Sequence, residues 1–181
     1  MLLVRHGESQ WNVPFGAVRV DAGIFDPLLT GRGRGQAVEA AERLAGEGIR
    51  RIVASPYRRT LETATIIAGR LGVDIEVDAL VRERCAFSCD QGSPVEMLER
   101  GWPELDFSAL APRWWGARIE SVRSIRERAR RFLERAENLA DYEHTLVVCH
   151  WGFVLAVTGR SVDNAEIVRV PKGAAVSGLW P

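Results

Sequence analysis

The chain has 181 residues, 46% of them hydrophobic and 27% charged, which allows one full core and fits a soluble globular protein. Lys+Arg and Asp+Glu both number 24, so the formal net charge is zero, which argues against nucleic acid or an anionic membrane as the main partner. No apolar run approaches the ~18 residues of a membrane span, and the short N-terminal apolar stretch runs into polar residues too soon for a secretory signal. Cys85, Cys89 and Cys149 form an odd, sparse set that points to a reducing, cytoplasmic setting. Lys172 is the only lysine. Arginine binds phosphate bidentately, so the bias is compatible with phosphate recognition, although a general compositional bias accounts for most surface arginines.

Residues 2–5 read as a short buried strand, and 12–29 as a loop with Pro14, Gly16, Gly23 and Pro27. Thr30 caps a predicted helix over 31–46, with Ala37, Ala40, Ala41 and Leu44 on one face. Residues 51–55 are a second strand. Ser55-Pro56 reads as an N-cap followed by proline, opening a helix from Tyr57 to Leu71 that stops at Gly72. Residues 73–77 are a third strand. Ser93 and Glu96 fit a capping box for a short helix over 94–100. A long amphipathic helix is predicted over 121–140, its core face carrying Val122, Ile125, Ala129, Phe132, Ala136 and Leu139 and its outer face solvated arginines. Residues 145–150 are an apolar fourth strand, 152–159 a helix, and 165–170 and 174–180 two final strands. Strands alternating with helices predict an α/β fold: a three-layer α/β/α sandwich around a mostly parallel sheet, as one domain over 1–181. Ligands of such sheets bind outside the carboxyl ends of the strands.

Two apolar strands end alike, "LLVRHGE" and "LVVCHWG", each with a histidine and then a glycine close behind. Two of the three histidines, His6 and His150, therefore face one crevice if both strands are central. A lone strand-end histidine is commonly structural. A pair of them beside Arg5 gathers titratable groups as functional sites do. Arg58 and Arg59 lie in the first turn of a helix whose N-terminus already favours anions. One of them is expected to be solvated and the other to join Arg5 around a phosphoryl group bound without metal. Cys85 and Cys89 read as small buried packing rather than zinc ligands, and His144 as solvated.

The stretches "LVRHGESQWN", "DPLLTGRGRGQA", "SPYRRTLETA", "VRERCAF" and "VVCHWGF" occur in an order that strongly resembles the histidine phosphatase (phosphoglycerate mutase-like) superfamily. The resemblance implies a phosphoglycerate mutase-like fold and roles position by position. His6 is the histidine phosphorylated transiently, Arg5 and Asn12 contact the phosphate, and Arg59 rather than Arg58 is the helix arginine. His150 is the second core histidine, and Glu83 is the proton donor, with Glu8 as fallback. Ser9, Trp151 and Arg113 are further candidates on the substrate side. The segment at about 84–118 is expected to cap the pocket, with Arg113, Arg118, Trp102, Trp114 and Trp115 as contact candidates. The tryptophans could equally pack the cap. The expected activity is a metal-independent phosphomonoester hydrolase working through phosphohistidine on a small phosphorylated substrate, without a cofactor. The alternatives are a mutase-type phosphotransferase and a weakly active phospho-ligand binder. A mutase must exclude water from phosphohistidine. A chain that stops at Pro181, just after the last expected strand, is short for that branch, so hydrolysis is expected. Neither the substrate's carrier group nor the oligomeric state is legible.

Overall fold

The computed structural model describes residues 1–116 and 119–180. Five strands form one sheet: β1 (Leu2–Arg5), β2 (Arg51–Ala54), β3 (Ile75–Val77), β4 (Thr145–Cys149) and β5 (Ile167–Arg169). Their order is β3-β2-β4-β1-β5; the first four are parallel, and β5 runs antiparallel at the β1 edge. The helices are α1 (Asn12–Val18), α2 (Gly31–Leu44), α3 (Arg58–Leu71), α4 (Val95–Gly101), α5 (Val122–Ala136) and α6 (Trp151–Thr158).

Strand alternation sorts the core into two apolar layers. Leu2, Val4, Ile52, Ala54, Leu146 and Val148 point to one face, where Ala40, Leu44, Leu61 and Ile67 of α2 and α3 cover them. Leu3, Val53, Val147 and Cys149 point to the other, against Ile125, Phe132, Phe153 and Val157 of α5 and α6. The result is the expected sandwich of helix, sheet and helix. α6 is apolar on every side, as a helix enclosed by the fold must be.

Several local expectations give way to tertiary contacts. The 12–29 stretch is not all loop, because α1 forms and is closed by Arg19 in the left-handed region. α3 begins at Arg58 with Tyr57 as its cap, so Ser55 and Pro56 stand outside it. Ser93 makes no capping box: Pro94 occupies the cap of α4, and the Ser93 amide donates to Asp26 Oδ2 at 2.9 Å. α5 ends at Ala136, four residues early, and Val122 is only half-buried. Residues 174–180 form no sixth strand and carry a single bend, at Gly178. Thr30 caps α2 as expected, accepting from Gly33 N–H at 2.9 Å, and its hydroxyl also donates to Glu8 Oε1 at 2.8 Å.

That cap brings the start of α2 against the turn after β1. A Cβ on Gly7 would lie 2.3 Å from the Gly33 carbonyl oxygen, and one on Gly33 would lie 2.0 Å from that of Glu8. Both clashes are with backbone, so neither can be relieved by a rotamer. Gly7→Ala is expected to destabilise by about 1–3 kcal/mol in urea unfolding, as overpacking does. Gly35→Ala, two residues along the same helix where a Cβ meets open space, should be neutral or stabilise by up to about 1 kcal/mol. Equal midpoints for the two variants would refute the backbone-crossing argument.

Candidate active site

β2, β4 and β1 end side by side, and the next residue of each is polar: Ser55, His150 and His6. The His6 amide donates to the Cys149 carbonyl at 3.0 Å, and the Ser55 amide to that of Val148 at 3.1 Å, so the pairing continues one residue past the strands. The two imidazole rings lie 5.3 Å apart, edge to face, and both are buried. His6 Nδ1 is 2.7 Å from the Gly7 carbonyl, which can only accept. Nδ1 therefore carries the proton and Nε2 a lone pair. His150 Nε2 is 2.8 Å from Ser55 Oγ, while its Nδ1 makes no hydrogen bond within the protein. Burial first, then the Arg59 and Arg5 charges, hold His6 well below its ordinary pKa. Burial and Arg59 do the same to His150. Both rings are neutral at physiological pH.

The cationic side is built from two elements. Arg59, in the first turn of α3, is buried with its guanidinium 4.3 Å above the Tyr57 ring. Its Nη1 donates to the Cys89 carbonyl at 2.7 Å and its Nη2 to Asp90 Oδ1 at 3.2 Å. One turn on, Thr63 Oγ1 donates to the Arg59 carbonyl at 2.8 Å and accepts from the Gly7 amide at 3.2 Å, which ties α3 to the histidine turn. Arg5 Nη1 donates to the Val162 carbonyl at 2.8 Å, and its buried Nε makes no hydrogen bond within the protein. Asn12 Oδ1 accepts from the Ser9 amide at 2.9 Å and from Ser9 Oγ at 3.0 Å. Ser9 is thus committed to holding Asn12.

Glu83 is half-buried. Its Oε1 accepts from the Arg84 amide at 2.7 Å, and its Oε2 from the Gly152 amide at the start of α6 at 3.1 Å. Desolvation of the carboxyl, followed by the nearby Asp90 charge, pushes its pKa up to about 7. Gly152 leaves room for the carboxyl in this position, since a Cβ would stand 2.3 Å from Glu83 Oε1 and push it aside. The Glu83 backbone is held from α5: Arg128 donates to the carbonyls of Leu80 (2.7 Å), Arg82 (3.1 Å) and Glu83 (3.3 Å). Glu120 neutralises Arg128, accepting from Nε at 2.9 Å and from Nη2 at 2.7 Å.

A sequence model of the histidine phosphatase superfamily (branch 1) matches residues 1–171. The chain belongs to that superfamily. A probable phosphoglycerate mutase GpmB of Erwinia tasmaniensis is 32% identical over 173 residues, covering 91% of this chain and 76% of that protein. The protein of the same name from Enterobacter sp. (strain 638) is 48% identical over 81 residues, 45% of this chain; that match spans 36% of the relative's length. Among solved structures, a mycobacterial glucosyl-3-phosphoglycerate phosphatase superposes with a TM-score of 0.65 at 23% identity, covering 92% of this chain and 88% of that one. A putative alpha-ribazole-5'-P phosphatase from Escherichia coli K-12 gives 0.64 at 20% identity, covering 97% and 98%. At these identities the structural likeness concerns the fold.

In this member of the superfamily the motif residues His6, Arg5, Arg59, His150 and Glu83 lie in one cluster, while several candidates of the 84–118 segment do not join it. Arg113 is exposed on that segment, where its carbonyl accepts from the Gly116 amide; Arg118 lies outside the described residues. Trp114 is buried, edge-on to Tyr57, with Nε1 donating to the Ser93 carbonyl, so it packs the segment. Trp115 stands edge-on to Trp114, and Trp102 donates to Thr65 Oγ1. Trp151 donates to Ser161 Oγ and faces Trp180, which makes it part of the C-terminal packing. Arg58 is half-buried, and its amide donates to Asp26 Oδ1. Glu8 shapes the loop, accepting from Thr30. His144 is half-buried beside Gly48 rather than solvated. The three cysteines are buried, with their thiols pushed up by desolvation, Cys85 to about 11. No helix among the described residues is long and apolar enough to cross a membrane.

Sequence reasoning passed over Ser55, Asp90, Arg128, Glu120 and the two loop carboxylates Asp21 and Asp26. Asp26 accepts from the Arg58 and Ser93 amides, and Asp21 from Trp11 Nε1 and from the Ser88 amide and hydroxyl. These bonds tie the 19–26 loop to the 84–116 segment. Glu120→Ala, which leaves the Arg128 charge buried alone, is expected to cost about 3–5 kcal/mol in chemical denaturation. The double variant Glu120→Leu/Arg128→Met should recover part of that stability, because Arg82 still loses its ion pair with Glu120 and three carbonyls lose their donor. A single-variant loss below 1 kcal/mol would show that the pair is not buried in solution.

Proposed function

We propose that the protein is a metal-independent phosphomonoester hydrolase acting through a phosphohistidine on His6. The observation that carries this reading is a neutral, oriented imidazole, with its Nδ1 proton held by the Gly7 carbonyl, between two arginines and within the same cluster as a carboxyl whose pKa lies at about 7. Nε2 attacks phosphorus while the bond to the leaving oxygen breaks. Glu83 gives its proton to that oxygen. Water then attacks the phosphorus, the N–P bond breaks, and the Glu83 carboxylate takes the proton from water.

Arg5, Arg59, Asn12 and His150 supply the donors for the non-bridging oxygens. Asn12 uses Oδ1 on Ser9 and keeps its amide hydrogens for the substrate. In the tautomer in which the Ser55 hydroxyl donates to Nε2, His150 carries its proton on Nδ1 and donates it to a phosphoryl oxygen. The two guanidinium groups provide the positive charge that offsets the phosphate. The substrate is a small phosphorylated molecule. The phosphatases that share the fold favour hydrolysis. The Erwinia relative's name favours a second reading, phosphoryl transfer back to substrate as in a mutase.

Phosphate release from a panel of phosphomonoesters in the presence of EDTA tests the reading. Chelator-resistant turnover is expected, and His6→Ala should lower kcat/KM by more than about 10³-fold. Arg59→Ala should lower it by about 10²–10³. Because Glu83 must start protonated, kcat/KM should fall as pH rises through about 7, and Glu83→Gln should abolish that limb along with most activity. A phosphoenzyme that forms and persists without releasing phosphate would favour the mutase. Phosphate binding with neither event would leave a phospho-ligand binder.

A further inference from the structure

Arg59 does not stand alone in the pocket. Its guanidinium is held by Asp90 and by the Cys89 carbonyl, and both partner side chains of the ion pair are 3% exposed. Asp90 is itself clamped. Its Oδ2 accepts from the amides of Ala86 and Phe87, both at 3.1 Å, and its carbonyl accepts from Tyr57 Oη at 2.5 Å. The chain of contacts therefore runs from the 86–90 turn through a carboxylate to the arginine. A guanidinium has five N–H donors. Two serve Cys89 and Asp90, which leaves three for a phosphoryl group.

We propose that Asp90 is a positioning residue of the phosphoryl-transfer site: its carboxylate braces the Arg59 guanidinium and fastens it to the 86–90 turn, so that the arginine meets the substrate phosphate in one orientation. This deepens the reading given above and rests on His6-dependent transfer. A buried ion pair adds little net stability, because desolvation offsets the attraction. What this pair sets is direction, and the planar fork of arginine needs a fixed direction to bind phosphate with two bonds.

The same carboxylate has an electrostatic consequence. Asp90 and Glu83 are two acids in one cluster, and the Asp90 charge favours the protonated form of Glu83. The other groups facing them are Arg59 and Tyr57 from the start of α3, Arg5 from the end of β1, Arg128 from α5, and the buried thiols of Cys85, Cys89 and Cys149. Removing the Asp90 charge leaves those cations less opposed, so Glu83 ionises at lower pH.

The test uses the full chain. Affinity for inorganic orthophosphate is measured by calorimetry, and the pH profile of kcat/KM with a chromogenic aryl phosphate, for wild type, His6→Ala, Asp90→Asn and Asp90→Glu. Asp90→Asn is expected to weaken phosphate binding about tenfold or more and to move the falling limb down by roughly half to one pH unit. Asp90→Glu keeps the charge but displaces the oxygens, so it should weaken phosphate while leaving the limb where it is. A role confined to packing would lower the folded fraction and move neither quantity. Should Asp90→Asn not fold, Asp90→Glu decides: wild-type phosphate affinity in that variant overturns the proposal. In a folded Asp90→Asn, either readout at its wild-type value overturns it and leaves the transfer reading intact. Turnover that survives His6→Ala overturns the transfer reading itself.

Discussion

The parallel pairing of β1 with β4 governs the site. Its register sets Arg5 opposite Cys149, and the amide of His6 bonds to the carbonyl of Cys149. Two residues far apart in the chain thereby become neighbours, 5.3 Å between ring centres, without either belonging to a flexible loop. β2 pairs with the other side of β4 and delivers Ser55 to the second ring. A one-residue slip would send the strand's side chains to the opposite faces. The alternating burial of Leu2, Leu3 and Val4 on opposite layers forbids that slip, so the packing of the core and the spacing of the histidines are one constraint.

A site that collects positive charge inside a fold must balance it, and the balancing groups differ in kind. Arg128 is matched by Glu120 and spends its remaining donors on three carbonyls, an arrangement that orders backbone. Arg59 is matched by Asp90 but keeps donors free. Arg5 uses one nitrogen on the Val162 carbonyl and leaves Nε without a partner. The gradient from satisfied to unsatisfied cations runs from Arg128 to Arg5, the residue next to His6. The surface ion pairs of α5, Arg130 with Glu127 and Glu134, are exposed and lie outside this logic.

Much of this was legible beforehand because it follows from short-range patterns. Of the four parallel strands β1, β2 and β4 carry apolar runs and β3 an alternating stretch, and α2 starts at a threonine that caps it. The paired strand-to-histidine endings already imply that His6 and His150 are neighbours, as the 5.3 Å between their rings shows. What stayed hidden depends on partners distant in sequence. Ser55 carries the ordinary signature of a helix cap, yet its hydroxyl is drawn away to His150, and Tyr57 becomes the cap instead. Ser93 loses its capping box because Asp26 claims its amide. Arg128 sits among arginines of a helix that looks solvated, and only the fold shows that it points inward. The strand expected at 174–180 pairs with no strand among the described residues; its Ser177 amide donates instead to the Ala156 carbonyl of α6.

The titrating groups also set how stability responds to pH, and they pull in opposite directions. His6 and His150 have folded pKa values below the unfolded value of about 6.5. Their contribution is complete above that pH and is lost as pH falls through their folded values. Glu83 has a folded pKa of about 7, above the unfolded 4.5. Its contribution is complete below 4.5 and is lost as pH rises toward 7. Between those limits each group changes stability by at most about 1.4 kcal/mol per pH unit, the two histidines with one sign and the glutamate with the other. Neutral imidazoles beside a neutral carboxyl are therefore the states the folded protein itself favours, and the interior that holds the histidines neutral is the same interior that keeps Glu83 protonated.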